Sequence, residues 1–198
     1  TKKTIHGIEK QTTKETADQI QQGIAKEILR FHVLANSDSE EDQKLKLEVK
    51  DRLVDYMKDI LDGAEDVKET KKRITENRET ICLVAEQEIQ KQGYTYPVSV
   101  NLEKCYFPMK TYGDCTFPAG TYEALRVCIG KAKGRNWWCV LYPGLCFADS
   151  VNVIVPDEKK QELKNILTEE EYESLFDWRE DDYQIRSGFL RLWRKLFA

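Results

Sequence analysis

The sequence lacks the features that mark several large classes of protein. No apolar run reaches the roughly 18 residues that a membrane-spanning helix needs, and the polar residues from Thr1 onward do not form a signal peptide. Only 10 glycines and 5 prolines occur in 198 residues, which excludes fibrous and low-complexity classes. The net charge of −4, without a basic stripe, argues against nucleic acid as a partner. A hydrophobic content of 40% predicts a globular domain with a core.

Histidine is nearly absent, which limits the chemistry available to the chain. The two imidazoles are His6 and His32, and both lie far upstream of the cysteines. Because no C-x2-C pair occurs, the spacing matches no zinc site. We therefore expect no metal, no cofactor and no small-molecule substrate. A thiol-dependent hydrolase with Cys139 as nucleophile and His32 as base remains the alternative function.

Cysteine is the residue type with the most uneven distribution. Five of the six cysteines fall within 42 residues, and an even, clustered count predicts disulfides and an oxidising, extracytoplasmic compartment. An exported chain would need a targeting segment ahead of Thr1. Cys139 and Cys146 flank a Pro-Gly turn, and Cys105 and Cys115 flank a second loop, so we predict both bridges. Cys128 opposite Cys139 in a hairpin is a competing pairing.

The hydrophobic periodicity predicts the element order β-α-α-β-β-β-α-α. The predicted elements are a strand over 27–35, a helix capped by Ser37 and ended by Gly63, a helix over 65–91, strands from Tyr94, over 121–129 and over 137–142, and helical residues over 157–177. This order predicts an α+β fold, a single domain with a mainly antiparallel sheet of about four strands, helices packed on one face, and C-terminal helices.

The chain divides into three predicted regions. Residues 1–24 form a polar arm that ends in a short helix, residues 25–155 form the core domain, and residues 156–198 form an acidic helical segment followed by a basic amphipathic helix. The apolar side of residues 184–198 packs on the sheet in one interpretation. In the other it contacts a membrane surface, because basic amphipathic helices with aromatic residues suit interfaces.

Residues 104–149 are unusually rich in aromatic and turn residues. Trp137 and Trp138 are adjacent on a strand and so point to opposite faces, which leaves one as a partner anchor unless another element covers it. The loop over 108–120 is longer than a hairpin needs, and Arg135 lies at a turn tip. The candidate partner-binding residues are Lys110, Tyr112, Asp114, Arg135, Asn136, Trp137, Trp138, Tyr142 and Pro143.

Two blocks of the sequence resemble a known family. The first block comprises Leu34-Ala35-Asn36-Ser37-Asp38-Ser39, Asp42-Gln43 and Leu45-Lys46-Leu47-x-Val49-x-Asp51. The second comprises Phe107-Pro108-x-Lys110-x-Tyr112-Gly113, Pro118-Ala119-Gly120-x-Tyr122-Glu123-Ala124-Leu125-Arg126 and Asn136-Trp137-Trp138-Cys139-Val140-Leu141-Tyr142-Pro143-x-Leu145-Cys146-Phe147. Together they resemble the stage II sporulation protein R family over about residues 28–149.

The resemblance implies a signalling protein of endospore-forming bacteria rather than an enzyme. Such proteins are exported from the forespore into the space between the forespore and mother-cell membranes. There they activate a membrane-embedded peptidase, which cleaves the precursor of sporulation sigma factor E. Within the blocks, Gly144 stands where the family pattern has a second proline, and Cys105, Cys115 and Cys128 resemble additions of a subgroup.

Overall fold

Six helices and six strands are present in the computed structural model, which describes residues 16–144, 146 and 155–176. In chain order they are α1 (16–27), β1 (Leu29–Leu34), α2 (Glu40–Leu61), α3 (Val67–Glu76), α4 (Arg78–Lys91), β2 (Val98–Phe107), β3 (Lys110–Tyr112), β4 (Cys115–Phe117), β5 (Gly120–Ile129), β6 (Asn136–Tyr142), α5 (Asp157–Ile166) and α6 (Glu169–Ser174). No helix in these ranges is long and apolar enough to cross a membrane. The predicted helix over 184–198 lies outside the described residues.

A four-stranded sheet with the order β2-β5-β1-β6 organises the domain. The outer pairs β2–β5 and β1–β6 are antiparallel, while the central pair β1–β5 is parallel. The predicted α+β fold is therefore confirmed, with a mixed sheet. Because β1 lies between β5 and β6, the predicted hairpin of the last two strands is wrong. Cys128 lies opposite Leu34 and Ser99, two strands away from Cys139.

Helix α2 follows the predicted apolar stripe but begins at a different cap. Ser39, rather than Ser37, is the N-cap, and its Oγ accepts the backbone N–H of Asp42. Ser37 instead donates its hydroxyl to the carboxylate of Asp42. The buried face of α2 contains the apolar positions that the sequence predicts, among them Leu45, Val49, Leu53 and Met57.

The predicted helix over 65–91 is two helices, and Asn77 separates them. The Asn77 backbone and side-chain N–H groups both donate to the Arg73 carbonyl, at 3.1 and 2.8 Å. The hydroxyl of Tyr56 donates to Asn77 Oδ1. These bonds satisfy the Arg73 carbonyl at the end of α3 and hold the backbone where α4 begins. The asparagine side chain competes here with the hydrogen bonds of a continuous helix, which apolar periodicity does not reveal.

Two hydrophobic cores cover the two faces of the sheet. Helices α2, α3 and α4 pack on the first face, around side chains such as Phe31, Leu53 and Leu125. A smaller core on the second face joins α1, the β3–β4 hairpin, α5 and α6, around Ile24, Phe117 and other side chains. The predicted arm thus ends in a helix that buries Ile24. Thr168 caps α6 in a capping box with Glu171, which confirms the predicted cap.

Candidate functional site beside strand β6

The first family-like block forms a polar network just after β1. The Asp42 carboxylate accepts hydrogen bonds from Asn36 Nδ2 at 2.8 Å and Ser37 Oγ at 2.5 Å. Burial alone would raise the pKa of Asp42, but hydrogen bonds from Ser37, Asn36 and Tyr96 outweigh it, so this pKa lies below its usual value. The network therefore keeps Asp42 charged and the chain after β1 rigid.

This network holds the loop over 130–135, which connects β5 to β6. Asn36 Oδ1 accepts the backbone N–H of Lys131 at 2.9 Å, and Asp38 Oδ1 accepts that of Arg135 at 2.6 Å. Gly130 has a φ of +58°, a conformation that favours glycine. A side chain at Gly134 would collide with the backbone carbonyl of Ser37. The close approach of the two segments therefore depends on both glycines.

Lys46 extends the network from α2 to the same loop. Its buried ammonium donates to Gln43 Oε1 at 2.8 Å and to the Arg135 carbonyl at 3.1 Å. Burial, followed by the charge of Arg135, lowers the pKa of Lys46. The Arg135 side chain itself is 75% exposed and lies 3.6 Å from Asp38. Residues of the first family-like block thus fix the backbone of Arg135 and leave its guanidinium in solvent.

The two adjacent tryptophans point to opposite faces of the sheet, as the pleat requires. Trp137 packs edge-on against Phe31 in the first core, and Lys50 Nζ lies 5.0 Å from its ring centroid. Trp138 stacks on His32 on the second face. Both tryptophans are half-buried, so each has one part in the fold and one part at the surface.

A fully buried arginine attaches the β3–β4 hairpin to β6. The Arg30 guanidinium donates from Nε to the Cys139 carbonyl at 3.1 Å and from Nη2 to the Tyr112 hydroxyl at 3.2 Å. That hydroxyl in turn donates to the Trp138 carbonyl at 3.1 Å. Burial lowers the pKa of Arg30. Aromatic rings surround the cation, with the Phe107 centroid 4.4 Å from Cζ.

Sequence reasoning missed Arg30. The one indication in the sequence is that Arg30 alternates with apolar residues along a strand. This pattern is equally typical of an exposed strand face. Three further aromatic rings complete its surroundings, and they come from β3, β4 and β5: Tyr112, Phe117 and Tyr122. Burial raises the pKa of Tyr122 to about 12, so this phenol stays neutral beside the cation.

The structure brings most of the predicted partner-binding residues to one side of the sheet. We call this region the β6 margin and define it as β6, the preceding loop over 130–135 and the β3–β4 hairpin. Arg135, Asn136 and Asp114 are exposed there, and Lys110 is half-buried. Asp114 is held by the Val155 backbone N–H at 3.0 Å and by Lys160 at 2.6 Å.

Three of the predicted contact residues also support the fold. Tyr112 belongs to the arginine cluster, Pro143 is buried, and the Tyr142 hydroxyl donates to the Glu65 carbonyl at 2.8 Å. Substitution of these residues would therefore perturb packing as well as any contact. The exposed side chains Arg135 and Asn136 are the better probes of a partner surface.

One of the two predicted disulfides is present. Cys139 and Cys146 are bridged, with their Cα atoms 5.5 Å apart. The predicted Cys105–Cys115 bridge is wrong, because both are free thiols. Residues 110–117 form a hairpin that turns Cys115 into the second core, where burial raises the pKa of its thiol to about 12. Cys105 lies on β2 opposite Tyr122.

The two groups that the alternative thiol mechanism needs, Cys139 and His32, do not lie together in the structure. On adjacent strands, Cys139 lies opposite Phe31 and His32 opposite Trp138, so the two side chains point to opposite faces. Cys139 is also disulfide-bonded. Within the described parts of the chain, no group of three or more His, Cys, Asp or Glu side chains is placed to hold a metal ion.

Comparison with known proteins relates the site to a family. The family model described as stage II sporulation protein R matches residues 25–152. The chain is also 33% identical, over 174 residues, to the stage II sporulation protein R of Bacillus subtilis strain 168, in an alignment that covers 85% of this chain and 76% of that protein. No solved structure matches the chain. Strands β1 to β6 and the β6 margin lie inside the matched range.

Proposed function

The chain belongs to the stage II sporulation protein R family, and from this membership we propose that it is an exported signal that activates a membrane-embedded peptidase. The peptidase then cleaves the precursor of sporulation sigma factor E. The family match over residues 25–152 is the observation that carries the proposal. The Cys139–Cys146 bridge supports export, because disulfides persist in oxidising compartments. The compartment proposed is the space between the forespore and mother-cell membranes.

The β6 margin is the surface that we assign to the peptidase. Its loop over 130–135 is held by Asn36, Asp38 and Lys46, while the Arg135 side chain extends into solvent. Because this backbone is already held in place, binding costs little backbone entropy, which favours affinity. The half-buried ring of Trp138 adds apolar surface at the same margin, as aromatic anchors do at interfaces.

Cleavage of the precursor in the presence of the peptidase tests the proposal. The chain, supplied to membranes that contain the peptidase and the sigma-E precursor, should increase the amount of cleaved product. Arg135→Ala should reduce cleavage several-fold while the melting temperature stays unchanged, because its side chain is exposed. Asn136→Ala should also reduce cleavage, and its melting temperature is measured alongside because the Asn136 side chain interacts with His32. Arg52→Ala is the matched control, an exposed arginine on α2 away from the margin, and should activate like the parent.

Two outcomes would contradict different parts of the proposal. If the parent chain does not increase precursor cleavage, the proposed activity is wrong. If the parent activates and both margin variants activate equally well, the activity stands and the assigned surface is wrong.

A further inference from the structure

Strand β2 forms one edge of the sheet and is long for an edge strand. Val98–Phe107 pairs with β5 along its whole length on one side. On its other side, no strand of the described chain pairs with it. The Val98 carbonyl accepts the Cys82 thiol at 3.5 Å, and the rest of the row of backbone N–H and C=O groups is a template for an added strand.

The side chains of β2 alternate between an apolar and a polar face. On the face of the helices lie Val98, Val100, Leu102, Lys104 and Tyr106, and the polar face carries Ser99, Asn101, Glu103 and Cys105. Tyr106 is 65% exposed at the end of this row, next to Lys104, so its ring presents apolar surface to solvent. An added strand with the same alternation would cover this row and continue both faces of the sheet.

We propose that a second copy of this chain supplies that strand, so that two β2 strands pair antiparallel about a two-fold axis at Leu102. In this register Leu102 lies opposite Leu102 of the second copy. Tyr106 lies opposite Val98 of the second copy, an aromatic and β-branched pair of the kind that stabilises sheets. On the polar face, Asn101 lies opposite Glu103 of the second copy, where the amide can donate to the carboxylate.

The neighbouring registers that keep the same faces together are less favourable, two of them because of charge. An axis at Lys104 would place two ammonium groups directly opposite each other, and like charges in that position destabilise a sheet. An axis at Glu103, on the polar face, would place two carboxylates directly opposite each other. An axis at Asn101 would place Tyr106 opposite Tyr96, which precedes β2 and already stacks on Tyr94 within the same chain. The Leu102 register is therefore the self-complementary one.

The native free thiol of Cys105 allows the register to be tested directly. In the proposed dimer Ser99 lies opposite Cys105 of the second copy. Ser99→Cys is made together with Cys128→Ser, because Cys128 is a free thiol opposite Ser99 within the chain. This variant should give a covalent dimer under mild oxidation on a non-reducing gel. Asn101→Cys is the matched control, because it lies opposite Glu103 and should give little dimer. Adding Cys105→Ser to this variant should abolish the cross-link, which separates this pairing from reaction at Cys82 or Cys115.

The molecular mass in solution tests the association itself. The parent should elute as a dimer in size-exclusion chromatography with light scattering, and Leu102→Lys should be a folded monomer, because it places two ammonium groups at the axis. Leu47→Lys, at a leucine on α2 that is 44% exposed, should stay dimeric.

A parent that is monomeric at every concentration and gives no Ser99→Cys dimer would overturn the proposal. So would a dimer that Leu102→Lys leaves intact. If Leu102→Lys instead abolishes binding of the peptidase by a monomeric parent, the edge takes a strand from the peptidase and the second copy is wrong. None of these results decides whether the chain activates the peptidase, which the cleavage assay measures separately.

Discussion

His32 and Trp138 stack face to face across β1 and β6, with ring centroids 3.9 Å apart and planes inclined by 15°. Phe107 meets both rings edge-on. Burial in this aromatic contact lowers the pKa of His32 to about 4 from its usual 6.5, although the Asn136 side chain acts in the opposite direction. A histidine in this setting is a neutral part of the fold at physiological pH.

The first prediction is that His32 makes the fold sensitive to mild acid. Between about pH 6.5 and about 4 the unfolded chain binds a proton on His32 and the folded chain does not, so the free energy of unfolding falls as the pH falls through this window. His32→Phe keeps an aromatic ring beside Trp138 and removes the titration. Urea unfolding at several pH values should therefore give a flatter profile for the variant, and parallel profiles would contradict the prediction.

The second prediction concerns the disulfide. Cys139→Ser combined with Cys146→Ser should lower the free energy of unfolding by about 2 to 3 kcal/mol, because the bridge closes a short loop. Cys105→Ser should have little effect, since that thiol is free and half-buried. Urea unfolding measures both. Peptide mapping without reductant should find Cys139 and Cys146 in one cross-linked fragment, and free thiols at both positions would refute the bridge.

The third prediction concerns the buried arginine. Arg30→Lys keeps the positive charge. A lysine ammonium lacks the planar, forked guanidinium that reaches both the Cys139 carbonyl and the Tyr112 hydroxyl. The free energy of unfolding should fall by about 2 to 4 kcal/mol, as buried polar groups lose their partners. Tyr112→Phe should cost about 1 kcal/mol. Arg52→Lys, at an exposed position, is the control, and an equally small effect of Arg30→Lys would contradict the assigned role.

The fourth prediction tests the anchoring of the loop before β6. Asn36→Ala removes the acceptor of the Lys131 backbone N–H and one donor to Asp42. The Lys131 amide should then exchange with solvent faster in hydrogen-exchange experiments, because its hydrogen bond is lost. The amide of Val127, inside β5, should keep its protection and serves as the internal control. Unchanged exchange at Lys131 would show that other contacts hold the loop.

Local features of this chain were readable from its sequence. The apolar stripe of α2, the strand alternation of β5 and the Thr168 cap each depend on residues within a few positions of one another. The Cys139–Cys146 bridge was also predictable, because seven positions and a Pro-Gly turn separate the two residues. Two extended blocks of sequence were enough to indicate the family.

Pairing between distant segments decided the rest. The insertion of β1 between β5 and β6 depends on which strands bury the most apolar surface together, and the alternation within each strand is the same in either order. The same uncertainty of pairing made the Cys105–Cys115 bridge a wrong prediction. Arg30 was not recognised because the aromatic rings around its guanidinium come from four other strands. Only the tertiary structure brings those side chains into one low-dielectric site, where burial and hydrogen bonds define their roles.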